Sequence, residues 1–343
     1  MLVPMPTNAA NPTSNMLHWK ALPATALAAE VGATVPFGES VFLDLRCCGL
    51  GGNEAGTVRQ WLLRQPCPVI ALADEHEQHA LIAACDTRVS SESEAAAISA
   101  YIQSNPLAAT VLVQLLRGTE SLPVESALTL ESLAYSTLQA GSEFKRWLDA
   151  NRAEAPAVHT DAGPAVLMDR EGNQLSLTLN RASNRNGITV EMRDALLEAL
   201  QLVLADDSIR NVTLSGNGKC FSTGGDLTEF GTAPDPVSAH MIRSVALPGR
   251  LLAGCAERVK VKVHGACVGS GIEFPAFAGH ITATADAYFQ LPELKFGLIP
   301  GAGGTVSIAR RIGRQRTAWL VLTGKRIKAE QALEWGLVDA LTQ

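Results

Sequence analysis

Three glycine clusters and two glutamates carry the residue types and spacing in this 343-residue chain that could do chemistry. In CFSTGGDLTEFG (220–231), Gly224 and Gly225 permit positive φ or close approach of another group to the main chain. Asp226, with Glu229 three residues on, has the spacing of a helix N-terminus at which an acidic side chain caps free amides. The second cluster, GACVGSGIEF (265–274), holds Ser270 and, three residues later, Glu273. The third, PELKFGLIPGAGG (292–304), begins with Glu293 directly after Pro292. Taken singly, these are tight turns, a first-turn helix carboxylate and a solvated loop residue. Taken together, each cluster follows a strand-like run and precedes a helical one, which invites a dinucleotide- or phosphate-binding turn. The spacing excludes that chemistry. After Gly269-x-Gly271 the third glycine position holds Phe274, after Gly301-x-Gly303 it holds Val306, and GLGG (49–52) has Glu54 there. No cluster carries the Lys-Ser/Thr of a phosphate loop.

The elements that must hold these clusters alternate. VFLDLR (41–46), PVIALAD (68–74) and CDTRVS (85–90) read as strands, with WLLRQ in a short helix between the first two. From Glu92 apolar residues recur at three- and four-residue intervals through AAAISAYIQ, AATVLVQLLR, VESALTLESLAYSTLQ and FKRWL, the period of helices. NRAEAPAVHTDAGP (151–164) is a Pro/Ala linker and the expected domain boundary. Beyond it come a hairpin around Glu171-Gly172-Asn173, a helix over 189–206 capped by Thr189, strands NVTLSG, RVKVKVHG and ITATADA, then two amphipathic helices and LVDAL. Strands alternating with helices imply an α/β layer structure.

Composition sets the class. With 47% hydrophobic residues the chain can bury a core, and its length suggests two domains. A net charge of −6 argues against a nucleic-acid partner. No run of about eighteen apolar residues appears, so no membrane span is expected. The first basic residue is Lys20 and the first arginine Arg46, which fits neither a secretory nor a transit signal. Seven cysteines without C-x-x-C spacing, including the vicinal Cys47-Cys48, then read as reduced core thiols of a cytoplasmic protein. His76 and His79 in DEHEQH (74–79) lack the H-E-x-x-H order of a metal site. Residues 1–18, rich in Asn, Pro, Ser and Thr, are expected to be disordered.

In order and content, residues 165–341 resemble the crotonase (enoyl-CoA hydratase/isomerase) superfamily. The pieces are LTLNRASNRNGIT, NGKCFSTGGDLTEF, the stretch from VKVHGACVGSGIEF to IPGAGGTVSIARRIG, and AWLVLTGKRIKAEQALEWGLVDAL. The resemblance implies an α/β fold of repeated ββα units, with an added helical segment, acting on acyl-CoA thioesters. It further implies no cofactor beyond the coenzyme A carried by the substrate, and a homotrimer or dimer of trimers. Carried over by position, the amides of Gly225 and Ser270 hold the thioester oxygen, where each fixed donor is worth roughly 3–4 kcal/mol. A helix starting near Ser270 adds its positive end. Glu273 and Glu293 match the two glutamates of the hydratases, and Arg185, Thr223, Asp226 and Leu227 fall in substrate-binding segments. Asp226 is read as a cap, not a catalyst. Arg310, Arg311, Arg314 and Arg316 are further candidates for a CoA phosphate. Hydration needs one group to deprotonate water and another to protonate the α carbon, so two glutamates favour a hydratase. Isomerase, hydrolase, decarboxylase and ring-modifying chemistry are the alternatives within the fold. A non-catalytic acyl-CoA-binding or scaffold protein is the alternative outside catalysis.

Two departures from the family pattern bear on the site. Ser270 replaces a glycine, keeping the amide but adding bulk. Pro275, two residues after Glu273, removes an amide and is expected to push Phe274 out of the helical region, which puts the aim of Glu273 in question. The chain order is also unusual. The covering helices that the family carries after its core are expected here before it, over 105–152. The segment ahead, CPVIALADEHEQHALIAACDTRVSS, resembles a worn copy of 261–285. An ungapped overlay puts His76 at the Ser270 position and His79 at that of Glu273. Residues 40–152 are thus expected to be a degenerate half that binds no thioester, with 92–152 as its covering and trimerisation segment.

Overall fold

The computed structural model describes residues 16–18, 39–46, 54–74, 80–151 and 161–342. Residues 1–15, Cys47-Cys48 with the glycines to 52, His76 with His79, and 152–160 of the linker lie outside the described residues. The chain divides into two compact units, Met1–Pro106 and Leu107–Gln343.

The first unit contains β1 (Met16–His18), β2 (Val41–Asp44), α1 (Glu54–Arg64), β3 (Val69–Leu72), β4 (Thr87–Val89) and α2 (Glu92–Ser104). Its sheet has the order β1-β2-β3-β4 and every pair is parallel. Thus the end of the segment expected to be disordered forms a strand against β2. All four residues of β2 and of β3 are buried, as the unbroken apolar runs require of parallel strands covered on both faces. Trp61 and Leu62 of α1 pack in one core with Leu43, Leu45, Val69 and Ala71. A strand, a single 3-10 turn (Ile82–Ala84) and a second parallel strand follow one another here. The ungapped overlay is out of register at the first of these strands. Thr87 pairs with Ile70, whereas its counterpart Ile281 pairs with Val261, the counterpart of Cys67.

The second unit begins ahead of the linker, with α3 (Pro106–Thr119), α4 (Val124–Gln139) and α5 (Ser142–Ala150). Then come the hairpin β5 (Val166–Glu171) and β6 (Gln174–Leu179), α6 (Val190–Ala205), β7 (Asn211–Gly216), α7 (Pro236–Val245) and α8 (Pro248–Gly254). Next are β8 (Val259–Val263), β9 (Ala266–Val268), α9 (Ser270–Glu273), β10 (His280–Thr284) and β11 (Tyr288–Gln290). The unit ends with α10 (Gly304–Ile312), α11 (Arg314–Thr323), β12 (Ile327–Lys328), α12 (Ala329–Trp335) and β13 (Ala340–Thr342), so three helices stand where the periodicity suggested two. The large sheet runs β13-β10-β8-β7-β6-β5, parallel except at the hairpin, and a small sheet runs β12-β11-β9. Thr189 caps α6 as its position predicts, accepting from the Met192 amide at 3.1 Å. The five described cysteines outside the masked pair are free and buried.

Helices α3 to α5 are part of this unit's core. Ala127 and Leu128 of α4 pack on Leu247 and Val306, with Leu122, Val124 and Phe277 around them. The Trp147 ring of α5 lies 5.0 Å from that of Phe296 and 6.0 Å from that of Phe230, centroid to centroid. The carboxylate of Glu143 accepts from the amides of Leu107 and Ala108 at 2.8 and 2.9 Å, so α5 caps the start of α3. Arg243 of α7 donates to the Ser132 hydroxyl at 3.1 Å, to Ser136, and stacks 4.6 Å above the Tyr135 ring. Of the apolar positions on α4, Leu128 and Leu138 are buried while Leu130 and Leu133 remain 40% and 45% exposed, so the buried stripe is narrower than the leucine pattern.

A fragment starting at Leu107 is therefore expected to fold. One starting at Asp161 uncovers Leu247, Val306, Phe230 and Phe296 and is expected to aggregate or melt at far lower temperature. Circular dichroism and thermal melting of the two fragments check this; equal stability would show that α3 to α5 are not part of the core.

Candidate active site

Three chain crossings lie side by side, two of them strands of the small sheet and the third bridged to β9, and their register builds the site. Ser222 forms a parallel bridge with Cys267, and Cys267 pairs in parallel with Phe289. Three residues beyond Ser222 is Gly225; three beyond Cys267 is Ser270; four beyond Phe289 is Glu293. Each crossing then turns into a short piece of helix: the 3-10 turn Leu227–Glu229, α9, and the 3-10 turn Glu293–Phe296. The residues singled out from three distant segments thus emerge from one edge.

The crossings are packed backbone to backbone. Gly224 has φ 91° and a Cβ there would stand 2.6 Å from the Val268 carbonyl oxygen. A Cβ on Gly269, at φ 51°, would stand 2.7 Å from Glu293 Oε1 and 3.9 Å from Glu273 Oε1. Only glycine fits positions that are both left-handed and occupied. Ser222 donates its amide to Ala266 and accepts from Val268, both at 3.1 Å, while Gly224 O and Ile188 O receive the neighbouring amides of Ile188 and Asp226. Among the described residues the amides of Gly225 and Ser270 donate to no backbone carbonyl. The Ser270 hydroxyl is buried with no hydrogen-bond partner.

Glu273 and Glu293 are 2% and 8% exposed and are brought together across Gly269. Glu273 Oε2 accepts from the amides of Ala302 (2.7 Å) and Gly304 (3.0 Å). Glu293 Oε2 is buried with no partner among the described residues. Burial pushes the Glu293 carboxyl up to about 8. Burial also raises Glu273 well above the carboxylate range, and the charges of Glu293 and Glu131 push it the same way. The solvated-loop and surface-helix readings of the two residues do not hold; both are interior acids.

Several expectations change. The Asp226 turn starts a single 3-10 turn, not a helix. Asp226 accepts from the Thr228 amide and hydroxyl at 2.9 and 2.7 Å and from Asn184 Nδ2 at 2.9 Å, so its carboxylate caps and braces the turn. Glu229 instead accepts from the Val190 amide at 2.8 Å, at the start of α6. Pro275 does not expel Phe274 from the helical region, since Phe274 has φ −74° and ψ −36°. Its effect falls one step later: α9 is one turn long, and Pro275–Phe277 continues as a 3-10 turn. The Phe277 amide bonds to Phe274, and the Ser307 hydroxyl takes the Glu273 carbonyl at 2.6 Å. The long-helix dipole expected at Ser270 is therefore absent, while the Glu273 side chain stays fixed. Arg185, also left-handed at φ 50°, is exposed, and its carbonyl receives the Thr223 amide at 3.1 Å. Leu227 is 48% exposed at the same rim. Arg310 and Arg311 are committed to carbonyls, of Leu122 (2.7 Å) and of Ala276 (2.9 Å), and Arg316 lies over the Trp335 ring.

The sequence reading missed Glu131 and Tyr135 of α4. Glu131 is 1% exposed, and burial pushes its carboxyl up to about 7. It accepts from the amides of Gly303 (2.7 Å) and Thr305 (2.9 Å) and from the Thr305 hydroxyl (2.5 Å). The Tyr135 ring fills the space where Gly301 has no side chain, and burial raises its hydroxyl. The available signal was phase: Ala127, Leu128, Glu131, Ser132 and Ser136 share the buried side of α4.

Residues 169–342 match the enoyl-CoA hydratase/isomerase family. The 1,2-epoxyphenylacetyl-CoA isomerase of Escherichia coli is 35% identical over 177 residues, which cover 50% of this chain and 68% of that protein. The 2,3-dehydroadipyl-CoA hydratase of the same organism is 32% identical, covering 51% and 68%. A solved enoyl-CoA hydratase of Mycobacterium smegmatis aligns at 29% identity with a TM-score of 0.48, over 52% of this chain and 70% of its own. Among the described residues no single helix is long and apolar enough to cross a membrane. The chain belongs to the enoyl-CoA hydratase/isomerase family of the crotonase superfamily, enzymes of acyl-CoA metabolism with a mixed α/β fold.

Proposed function

We propose that this chain hydrates a 2-enoyl-CoA. The observation that carries the proposal is the meeting of two buried carboxylates, Glu273 and Glu293, across Gly269. In this reading the amides of Gly225 and Ser270 hold the thioester oxygen as negative charge develops on it. Glu273, whose Oε2 already receives two amides, takes a proton from water as the hydroxyl adds to the β carbon. Glu293, whose Oε2 has no donor and whose burial keeps it protonated near neutral pH, gives its proton to the α carbon. Arg185 at the exposed rim is assigned to a CoA phosphate. Thr223, Asp226 and Leu227 shape the turn that presents Gly225, with Leu227 touching the thioester's carrier. No cofactor beyond the substrate's own CoA enters this scheme. The homotrimer or dimer of trimers implied by resemblance belongs to the same proposal, supported by the exposed Val237, Met241 and Val245 along α7, and sedimentation of the purified chain checks it.

One observation favours a second reading, double-bond isomerisation. Glu273 Oε2 is tied to Ala302 and Gly304, whereas Glu293 Oε2, buried without a donor among the described residues, is placed to carry a proton between two carbons. A purely binding role is disfavoured, because keeping acids buried without a use for their protons is costly.

Glu293→Gln is expected to lower turnover by about 10²- to 10⁴-fold while thioester binding measured by calorimetry holds, since the amide keeps shape but exchanges no proton. Glu273→Gln is expected to do the same with enoyl-CoA substrates; full activity in that variant would select isomerisation. The pH profile supplies a separate check. Glu293 acts while protonated, so kcat is expected to fall as pH rises through about 8. A profile flat to pH 10 would remove Glu293 as the acid.

A further inference from the structure

Glu131 is a buried acid that the proposed chemistry leaves unused, and it shares a turn with one that the chemistry uses. Four consecutive amides alternate between two carboxylates. Those of Ala302 and Gly304 go to Glu273, and those of Gly303 and Thr305 go to Glu131. Each carboxylate therefore fixes one side of the same short strip of backbone, and neither set of bonds can form unless the strip holds the conformation that serves both. We propose that Glu131, from the helices that precede the linker, is a positioning residue that holds the 302–305 strip in place for Glu273 and couples its own ionisation to that of the Glu273–Glu293 pair. The proposal rests on the hydratase reading only for what the pair does, not for where it sits.

The charged and titratable groups that face Glu131 are Glu273 of α9, Glu293, Tyr135 on its own helix, and Arg243 of α7. Arg243 favours the ionised form of Glu131, as do the Thr305 hydroxyl and the two amides. The charge of Glu131 in turn opposes ionisation of Glu273 and Glu293. Removing that charge should let both neighbours lose their protons at lower pH.

The test is Glu131→Gln in the full-length chain, with glutamate carboxyl carbons labelled and followed by carbon NMR as pH rises. The two signals that disappear in Glu273→Gln and Glu293→Gln identify the pair. In Glu131→Gln these signals are expected to titrate about one pH unit lower, because groups coupled this closely shift each other by about that much. kcat with an enoyl-CoA is expected to fall about 10- to 100-fold with KM changing far less, the signature of a misplaced acid rather than of lost binding. A merely structural Glu131 would lower the melting temperature and leave the titration where it was, and that result would overturn the proposal. Should Glu131→Gln fail to fold, Thr305→Val keeps the carboxyl and both amide bonds and removes only the hydroxyl's bond, which favours ionised Glu131; with less charge on Glu131 the same shift, smaller, is expected, and none would count against it. A wild-type chain inactive on every enoyl-CoA would sink the hydratase reading while leaving the titration to decide this one.

Discussion

The site depends on three strands of backbone running closer together than side chains allow. Ser222, Cys267 and Phe289 stand in one row, and just past the row Gly224 and Gly269 leave no space for a Cβ. That contact does two things at once. It sets the Gly225 and Ser270 amides in adjacent turns, free of backbone partners among the described residues. It also lets the Glu293 carboxylate reach over Gly269 to the neighbourhood of Glu273. A methyl group at Gly269 would have to displace the carboxyl oxygen of Glu293, a group that is itself buried. Fold and chemistry are therefore constrained by the same few atoms.

Placing acids in that crowded interior has an electrostatic consequence. Glu131, Glu273 and Glu293 are all withdrawn from water, and burial raises the carboxyl of each. Three negative charges so close would repel, so at neutral pH the cluster retains protons, and its titration steps belong to the group rather than to single residues. What separates the roles is hydrogen bonding. Glu131 and Glu273 each receive two amides from 302–305, while the Glu293 Oε2 receives none. Donors favour the charged form, so the amides of 302–305 offset part of what burial does to Glu131 and Glu273, an offset that the Glu293 Oε2 lacks.

Much of this was legible in residue order. Apolar runs located β2, β3, β7, β8 and β10, Thr189 marked the start of α6, and the glycine clusters with their two glutamates pointed to the turns that meet at the candidate site. Other features depended on information that no local pattern carries. Asp226 and Glu229 look like one capping pair in sequence, yet one serves its own 3-10 turn and the other serves α6, which reaches it only in the folded chain. The usual effect of Pro275 is on the residue before it, yet Phe274 stays helical; the break falls after it, where the Phe277 amide turns to Phe274, and the Glu273 carbonyl takes the Ser307 hydroxyl instead. Glu131 was hidden by its setting. One of the two glutamates in VESALTLESLAY, it looks like a solvated position until the opposite wall of amides is known.

The placement of α3 to α5 explains why so much of the second unit converges on these acids. The aromatic cluster of α5 touches both rims: Trp147 meets Phe296, three residues past Glu293, and Phe230, whose ring edge stands 3.0 Å from where Gly225 would carry a side chain. Helix α4 reaches the third turn through Glu131 and Tyr135, and Arg243 ties α4 to α7 through Ser132 and Ser136. The turns of Gly225 and Glu293, and the 302–305 turn that binds Glu273, are thus buttressed by helices that precede them in sequence. Aromatic contacts of this kind are worth about 1 kcal/mol each beyond the area they bury, and a buried acid bonded to amides is worth keeping only while those amides stay put. The buttress and the acids therefore stabilise one another: the helices hold the turns at the separation that brings Glu273 and Glu293 together, and the bonds the turns make to Glu131 hold α4 in place.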